Sequence, residues 1–282
     1  LVSVLEVRRR LTEVREQGLA AQLCGASGTL ASLGDHGVPV LGEFARELGL
    51  AEPAVPWHTD RTRIGELGGS LSLAAGVLGK ISLDVILMAQ AEVGEVAEPA
   101  GEGRGGSSTL PHKRNPILSV IATANTRRAL ASTQTLYGSM AGEHERAAGA
   151  WHAEWEALSE ALSLTGGAAA AVRETLEGLE VYPERMRRNL DETGVMLMAE
   201  NVVTVVADRL GRLEAHEIVR TAARRAADGG KTFRDELLAE PALQDRLSPD
   251  EIDAALDPAG YLGSSGGFID RALILYHREV ST

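Results

Sequence analysis

Between Asp60 and Val93 the apolar residues Ile64, Leu67, Leu71, Ala74, Leu78, Ile81, Val85 and Met88 recur at spacings of three and four, with no proline among them. That period puts them on one face of a helix. At roughly 1.5 Å per residue the helix would approach about 50 Å, so it needs partners of similar length. A second long pattern opens at Asn115 and Pro116 and extends to about Tyr137. A third carries Trp151, Trp155, Leu158 and Leu162 and reaches about Leu179. No segment shows a sustained two-residue alternation bounded by turn signals. The chain therefore reads as all-α, built on a bundle of long helices, and bundles of this kind commonly continue across subunit boundaries. A homo-oligomer is expected.

Two shorter helices lead in, one to about Leu23 and one over Val38 to Leu48, followed by the connection AEPAVP. The chain starts without methionine and already inside a helical pattern, which suggests that an N-terminal part of the natural protein is absent. At Val181 the texture changes. Pro183 opens the short helix PERMRRNL, and the later segments are shorter, more charged and divided by Gly, Asp and Pro. The expected division is a central bundle over 1–180 and a small helical domain over 181–282.

With 282 residues, 44% of them hydrophobic, a sizeable core is possible. A net charge of −12 argues against a nucleic-acid partner, because phosphate recognition needs a basic face and none accumulates here. One cysteine, Cys24, cannot form an intrachain disulfide and suits a buried thiol. The apolar stretch from Leu71 to Ala89 is interrupted by Lys80 and Asp84 at i,i+4, which fits a bundle helix better than a bilayer span. The charged, amphipathic first residues lack the apolar run of a signal peptide. A cytoplasmic location is the resulting expectation.

Chemistry concentrates after Gly101. Residues 101–106 read GEGRGG, a permissive stretch between two long helices and an expected mobile loop. It brings Ser107, Ser108 and Thr109 close to Lys113, Asn115 and Pro116, where Asn suits an N-cap and Pro a first helical residue. A helix N-terminus with free N–H groups, next to Lys113, Arg114 and His112, would form a carboxylate site. The bland alternative is a connecting Gly-Ser loop followed by a solvated Lys-Arg pair.

The segment GSSTLPHKRNP, Gly106 to Pro116, resembles the signature of the fumarase/aspartase superfamily, roughly GSSxMPxKxNP, with Leu110 where methionine is usual. Helix lengths, the small C-terminal unit and the YLG element near Tyr261 extend the likeness over essentially the whole chain. The resemblance implies that Ser107 exchanges a proton with the carbon beside a substrate carboxylate. It implies that Lys113 and Asn115 hold that carboxylate in its enediolate-like form, with Ser108, Thr109 and His112 lining the site. Preorganised donors of this kind are what stabilise such a developing charge. Ser108 is the lesser candidate for the proton.

One departure narrows the family. Members that eliminate an amine or water usually carry a glutamate seven residues after the signature lysine, paired with a histidine, and this chain has Val120 there. The stretch HERAAGAWHAEW, His144 to Trp155, resembles bacterial 3-carboxy-cis,cis-muconate cycloisomerases, as do PWHTDRTRI at Pro56 to Ile64 and EVGEVAEP at Glu92 to Pro99. That likeness implies formation of 4-carboxymuconolactone in protocatechuate catabolism by the β-ketoadipate route, with Arg146 binding a further carboxylate of a small polycarboxylate substrate. Trp151 and Trp155, one turn apart, could equally be core. The likeness also implies a homotetramer with active sites shared between subunits, and no metal or organic cofactor. His144 and His152 lie eight apart without a compact ligand set. Adenylosuccinate lyase or a related β-elimination lyase is the alternative enzyme; a catalytically silent structural oligomer is the alternative of another class.

Overall fold

The computed structural model describes residues 1–99, 105–106, 114–193, 195–229 and 231–280. Among them the chain is predominantly helical, and it divides into two compact units: Leu1–Val181 with Glu279–Thr282, and Tyr182–Arg278.

In the first unit α1 (Val2–Glu13), α2 (Gly37–Leu48), α3 (Thr62–Met88), α4 (Ile117–Gly138) and α5 (Ala150–Glu177) follow in order. The three long helices α3, α4 and α5 pack on one another and form the core of the unit. Their buried faces are rich in small residues. Ala122 and Ala129 of α4 and Ala161 and Ala168 of α5 are wholly enclosed, alongside Ser82, Ser119, Thr133 and Thr175. Small side chains let helix backbones approach closely, and several of the buried hydroxyls are paired, although Thr123 Oγ1 and Thr165 Oγ1 have no partner among the described residues. Ser82 Oγ donates to Leu78 O at 2.9 Å, and Ser72 Oγ donates to Thr133 Oγ1 at 2.8 Å, joining α3 to α4.

α3 is 27 residues long and ends at Met88, short of the expected Val93, at roughly 40 Å. Length and composition alone would let it cross a membrane. Its Leu71, Ala74, Ala75 and Val85 are buried, however, and an ion pair joins Lys80 to Asp84 on its exposed side.

The first helix stops earlier than its pattern suggests. A single π turn, Val14–Gly18, closes it. The next residues are then claimed by a distant segment: Ala21 N donates to Ala51 O at 2.9 Å, Ala51 N to Leu19 O at 3.1 Å, and the Trp57 indole to Ala21 O at 2.9 Å. Tertiary hydrogen bonding wins over helical propensity there. Cys24, just beyond, is buried.

Two very short strands, β1 (Val96–Ala97) and β2 (Glu180–Val181), pair antiparallel. They tie the chain just before the Gly-rich stretch to the exit of α5.

The second unit contains α6 (Pro183–Thr193), α7 (Ala199–Leu210), α8 (Arg212–Ala227), α9 (Phe233–Leu238), α10 (Pro241–Gln244), α11 (Pro249–Leu256) and α12 (Ser265–Val280) as far as Arg278. Val202, Val206, Val219, Phe233, Leu237 and Ile252 centre its apolar core. Two of its short helices have side-chain caps. Ser248 and Glu251 exchange hydrogen bonds at the start of α11 in a capping box, and Thr232 caps α9.

Candidate active site

The expected catalytic and binding residues Ser107, Ser108, Thr109, His112 and Lys113 lie outside the described residues, as do positions 101–104 of the expected mobile loop. Both flanks of that segment are described, and they are built with care. Glu98 is 8% exposed and sends its carboxylate to the N-terminus of α4. It accepts from Leu118 N at 2.9 Å, Ser119 N at 2.7 Å and Ser119 Oγ at 2.6 Å, with Thr175 Oγ1 of α5 at 3.4 Å. A carboxylate placed there satisfies orphan N–H groups and meets the positive end of the helix dipole.

This corrects two expectations. The N-terminus of α4 is not an open anion site, because Glu98 already fills it; the remaining first-turn groups are also paired, Ile117 N with Asn115 O and Val120 N with Pro116 O. Nor does Asn115 cap the helix. Pro116 is the N-cap residue, with φ −79° and ψ 70°, and makes no side-chain cap bond. Asn115 instead turns to Gly105, whose carbonyl accepts from Asn115 N at 2.8 Å and Asn115 Nδ2 at 3.3 Å. A residue 20 positions upstream has taken the capping role, and that frees Asn115 to brace the turn at Gly105. Gly105 has φ +73°, and a Cβ there would lie 3.0 Å from Asn115 O, so glycine is required on both counts.

Arg114 is likewise committed. Its guanidinium makes a fork-like pair with Glu180, at 2.9 Å and 2.8 Å, and also donates to Glu98 O. The cation cluster read from the sequence thus includes one arginine that serves the framework.

Arg146 sits elsewhere in the unit, exposed, on the turn between α4 and α5. Among the described residues it has no carboxylate partner. Its Cζ lies 5.8 Å from the centre of the Trp151 ring. The structure brings the run from Pro56 to Ile64 onto the run from His144 to Trp155. Thr59 Oγ1 donates to His144 O at 2.7 Å, Asp60 bridges Ala141, and Arg61 forms a buried ion pair with Glu154, its Nε 3.1 Å from the carboxylate. Arg61 also stacks on Trp57, 5.2 Å from the ring centre.

The residue that sequence reading missed is His58. It is buried, its ring centre is 4.5 Å from that of Trp151, and its Nε2 has no hydrogen-bond partner among the described residues. Burial, reinforced by the neighbouring Arg146 charge, lowers its pKa below the usual 6.5, with a smaller push from Arg61; the Arg146 backbone and Glu154 act the other way. The imidazole is therefore neutral near pH 7. Its position in a run resembling the cycloisomerases was the available signal.

Comparison with known proteins follows this geometry. The family model described as Lyase matches residues 2–130, and that described as Adenylosuccinate lyase C-terminus matches residues 196–272. The crystal structure of the 3-carboxy-cis,cis-muconate lactonizing enzyme from Pseudomonas putida superposes on 99% of this chain with a TM-score of 0.91 and 41% identity. The chain belongs to the fumarase/aspartase superfamily. A 3-carboxy-cis,cis-muconate cycloisomerase from Pseudomonas aeruginosa is 49% identical over 96% of this chain, and a nitrosuccinate lyase from Streptomyces davaonensis is 42% identical over 96%. The chain spans 58–61% of the length of these three relatives. Superfamily membership accounts for the long helices and for the signature segment on the α4 side of the Gly-rich stretch.

Proposed function

We propose that the protein carrying this chain converts 3-carboxy-cis,cis-muconate to 4-carboxymuconolactone, as an intramolecular lyase of the β-ketoadipate route. The observation that carries this reading is the 49% identity to the Pseudomonas aeruginosa cycloisomerase over 96% of the chain. One carboxylate of the substrate adds through oxygen to the β-carbon of the double bond conjugated to another carboxylate. The C–O bond forms, the π pair moves to the α-carbon as an enediolate-like carbanion, and that carbon takes a proton. Ser107 delivers the proton from Oγ and is reprotonated from solvent, while Lys113 and Asn115 stabilise the enediolate and Arg146 binds a further carboxylate. The helix N-terminus is left out of this scheme because Glu98 occupies it.

The nucleophile is already ionised and held within the same molecule, so no base is needed to activate it. Val120, 47% exposed on the first turn of α4, stands where related eliminating enzymes carry glutamate, and suits a reaction that needs no His-Glu relay. Unit 1–180 would carry the active site and the oligomer contacts, and 181–282 the small helical domain. Leu73, Leu83, Leu87, Val120, Ile121 and Leu162 are exposed on the three long helices, which supports a homotetramer that buries them and shares its sites between subunits. A cytoplasmic location fits a small polycarboxylate substrate. A second reading, β-elimination from a substituted succinate, is favoured by the 42% identity to the nitrosuccinate lyase.

The test offers carboxymuconate, nitrosuccinate and adenylosuccinate separately to the protein that carries this chain. Loss of the diene absorbance with lactone as product supports the proposal. Release of nitrite or AMP in its place moves the chain to the eliminating lyases.

A further inference from the structure

Two of the chain's three tryptophans, Trp151 and Trp155, meet on the first turns of α5, while the third, Trp57, lies on the run before α3 and stacks with Arg61. Trp151 meets Trp155 at 5.1 Å and 88°, and His152 fills the angle, 5.4 Å from Trp151 and 4.8 Å from Trp155. This is not a finished core. Trp155 is 51% exposed, His152 and Arg146 are exposed, and Trp151 is half-buried. Buried polar atoms are normally paired, yet His58 Nε2, behind Trp151, is not.

The backbone that presents the cluster is held under strain. His144 and Ala147 both have φ +49°, and Gly149 has φ +96°. Left-handed non-glycine residues cost free energy and persist only where surrounding contacts impose them. Those contacts are on the page. The Thr59 hydroxyl holds His144 O, the Glu143 carboxylate accepts from Ala148 N at 2.5 Å, and the Arg61–Glu154 pair lies buried in the first turns of α5. The effect is to hold a guanidinium that has no carboxylate partner among the described residues at the edge of an exposed aromatic surface.

We propose that Trp151, His152 and Trp155, with Arg146 at their edge, form a shelf that selects planar conjugated polycarboxylates over saturated ones. The inference takes its substrate class from the cycloisomerase reading and deepens it. A flat π system can lie against the rings while one of its carboxylates meets Arg146, so stacking and charge add together. A saturated acid of the same charge reaches Arg146 but offers no flat face. The shelf thereby discriminates by shape at a position remote in sequence from the signature segment.

Because the tryptophans are themselves the shelf, intrinsic fluorescence reports binding directly. The chain is titrated with benzene-1,2,4-tricarboxylate and, separately, with propane-1,2,3-tricarboxylate. The aromatic acid is expected to bind about tenfold more tightly, the weight of one good stacked contact. Trp155→Leu brings the two affinities to near parity, Arg146→Gln weakens both by about tenfold, and Trp57→Phe leaves their ratio unchanged. Equal affinities in the unsubstituted chain overturn the proposal, as does a ratio that Trp155→Leu leaves intact. A tryptophan signal that follows protein concentration and ignores both acids also overturns it, since a second copy would then cover the shelf. The two readings fail separately. If the aromatic acid is preferred but carboxymuconate is not consumed, the shelf stands and the cycloisomerase reading falls. If carboxymuconate is consumed with unchanged KM by Trp155→Leu, the shelf falls and the cycloisomerase reading stands.

Discussion

Replacing Glu98 with alanine removes the only acceptor that the first-turn Leu118 and Ser119 amides have in the described structure. Both amides and the Ser119 hydroxyl lose their partner inside the unit. An orphaned buried donor costs about 1–3 kcal/mol, and loss of an N-cap carboxylate falls in a similar range, so Glu98→Ala should destabilise the first unit by about 3–5 kcal/mol. Glu98→Gln keeps one acceptor oxygen but loses the charge and turns an NH2 group toward other donors, which should cost about 1–2 kcal/mol. Thr175→Ala removes only a long 3.4 Å contact and should cost less than about 1 kcal/mol. Urea unfolding followed by tryptophan fluorescence reads this unit selectively, because Trp57, Trp151 and Trp155 all lie in it. The order Ala, then Gln, then Thr175→Ala is the expected result. A Glu98→Ala protein within about 1 kcal/mol of the unsubstituted one, or a Gln variant as unstable as the Ala variant, refutes the capping role.

The buried Arg61–Glu154 pair gives a second measure. Glu154→Ala leaves an uncompensated buried guanidinium and should cost about 3–5 kcal/mol in the same unfolding experiment, while an Arg61→Met/Glu154→Leu double variant should cost much less. His58 predicts a pH effect of definite sign. Its folded pKa is depressed below 6.5, so below that pH the unfolded chain binds the proton first and stability falls until the folded pKa is passed. Comparing the pH dependence of urea midpoints for the unsubstituted chain and His58→Gln isolates this slope, and identical profiles below 6.5 would count against it.

The fold was legible because its signal is repeated. Ile64 to Met88 state the same helical period seven times over, and the changes at Pro116 and Pro183 mark where long helices begin or give way to short ones. Errors fell where a partner distant in sequence decides the local structure. Residues 19–21 continue an amphipathic pattern but bond to Ala51 and Trp57, so the first helix stops at Gly18. Asn115-Pro116 reads as a cap and first residue, yet Glu98 reaches the helix end first. Nothing local to Glu98 announces this, since a glutamate before a proline usually belongs to a loop. At the site, resemblance to known cycloisomerases points to Arg146, and its lack of a carboxylate partner among the described residues adds a physical reason. His58 escaped because burial beside Trp151 and an Nε2 left without a partner among the described residues are three-dimensional properties. The sequence shows only a histidine next to a tryptophan.

The most direct measurement is the fate of the transferred proton. Carboxymuconate is turned over in deuterium oxide by the protein that carries this chain, beside its Ser107→Ala variant, and the lactone is examined by NMR. One deuterium on the carbon next to the carboxylate, with turnover by the variant reduced by about 10²–10⁴-fold, is the predicted result. Lactone formed at an undiminished rate by Ser107→Ala, or an elimination product in its place, would contradict the account.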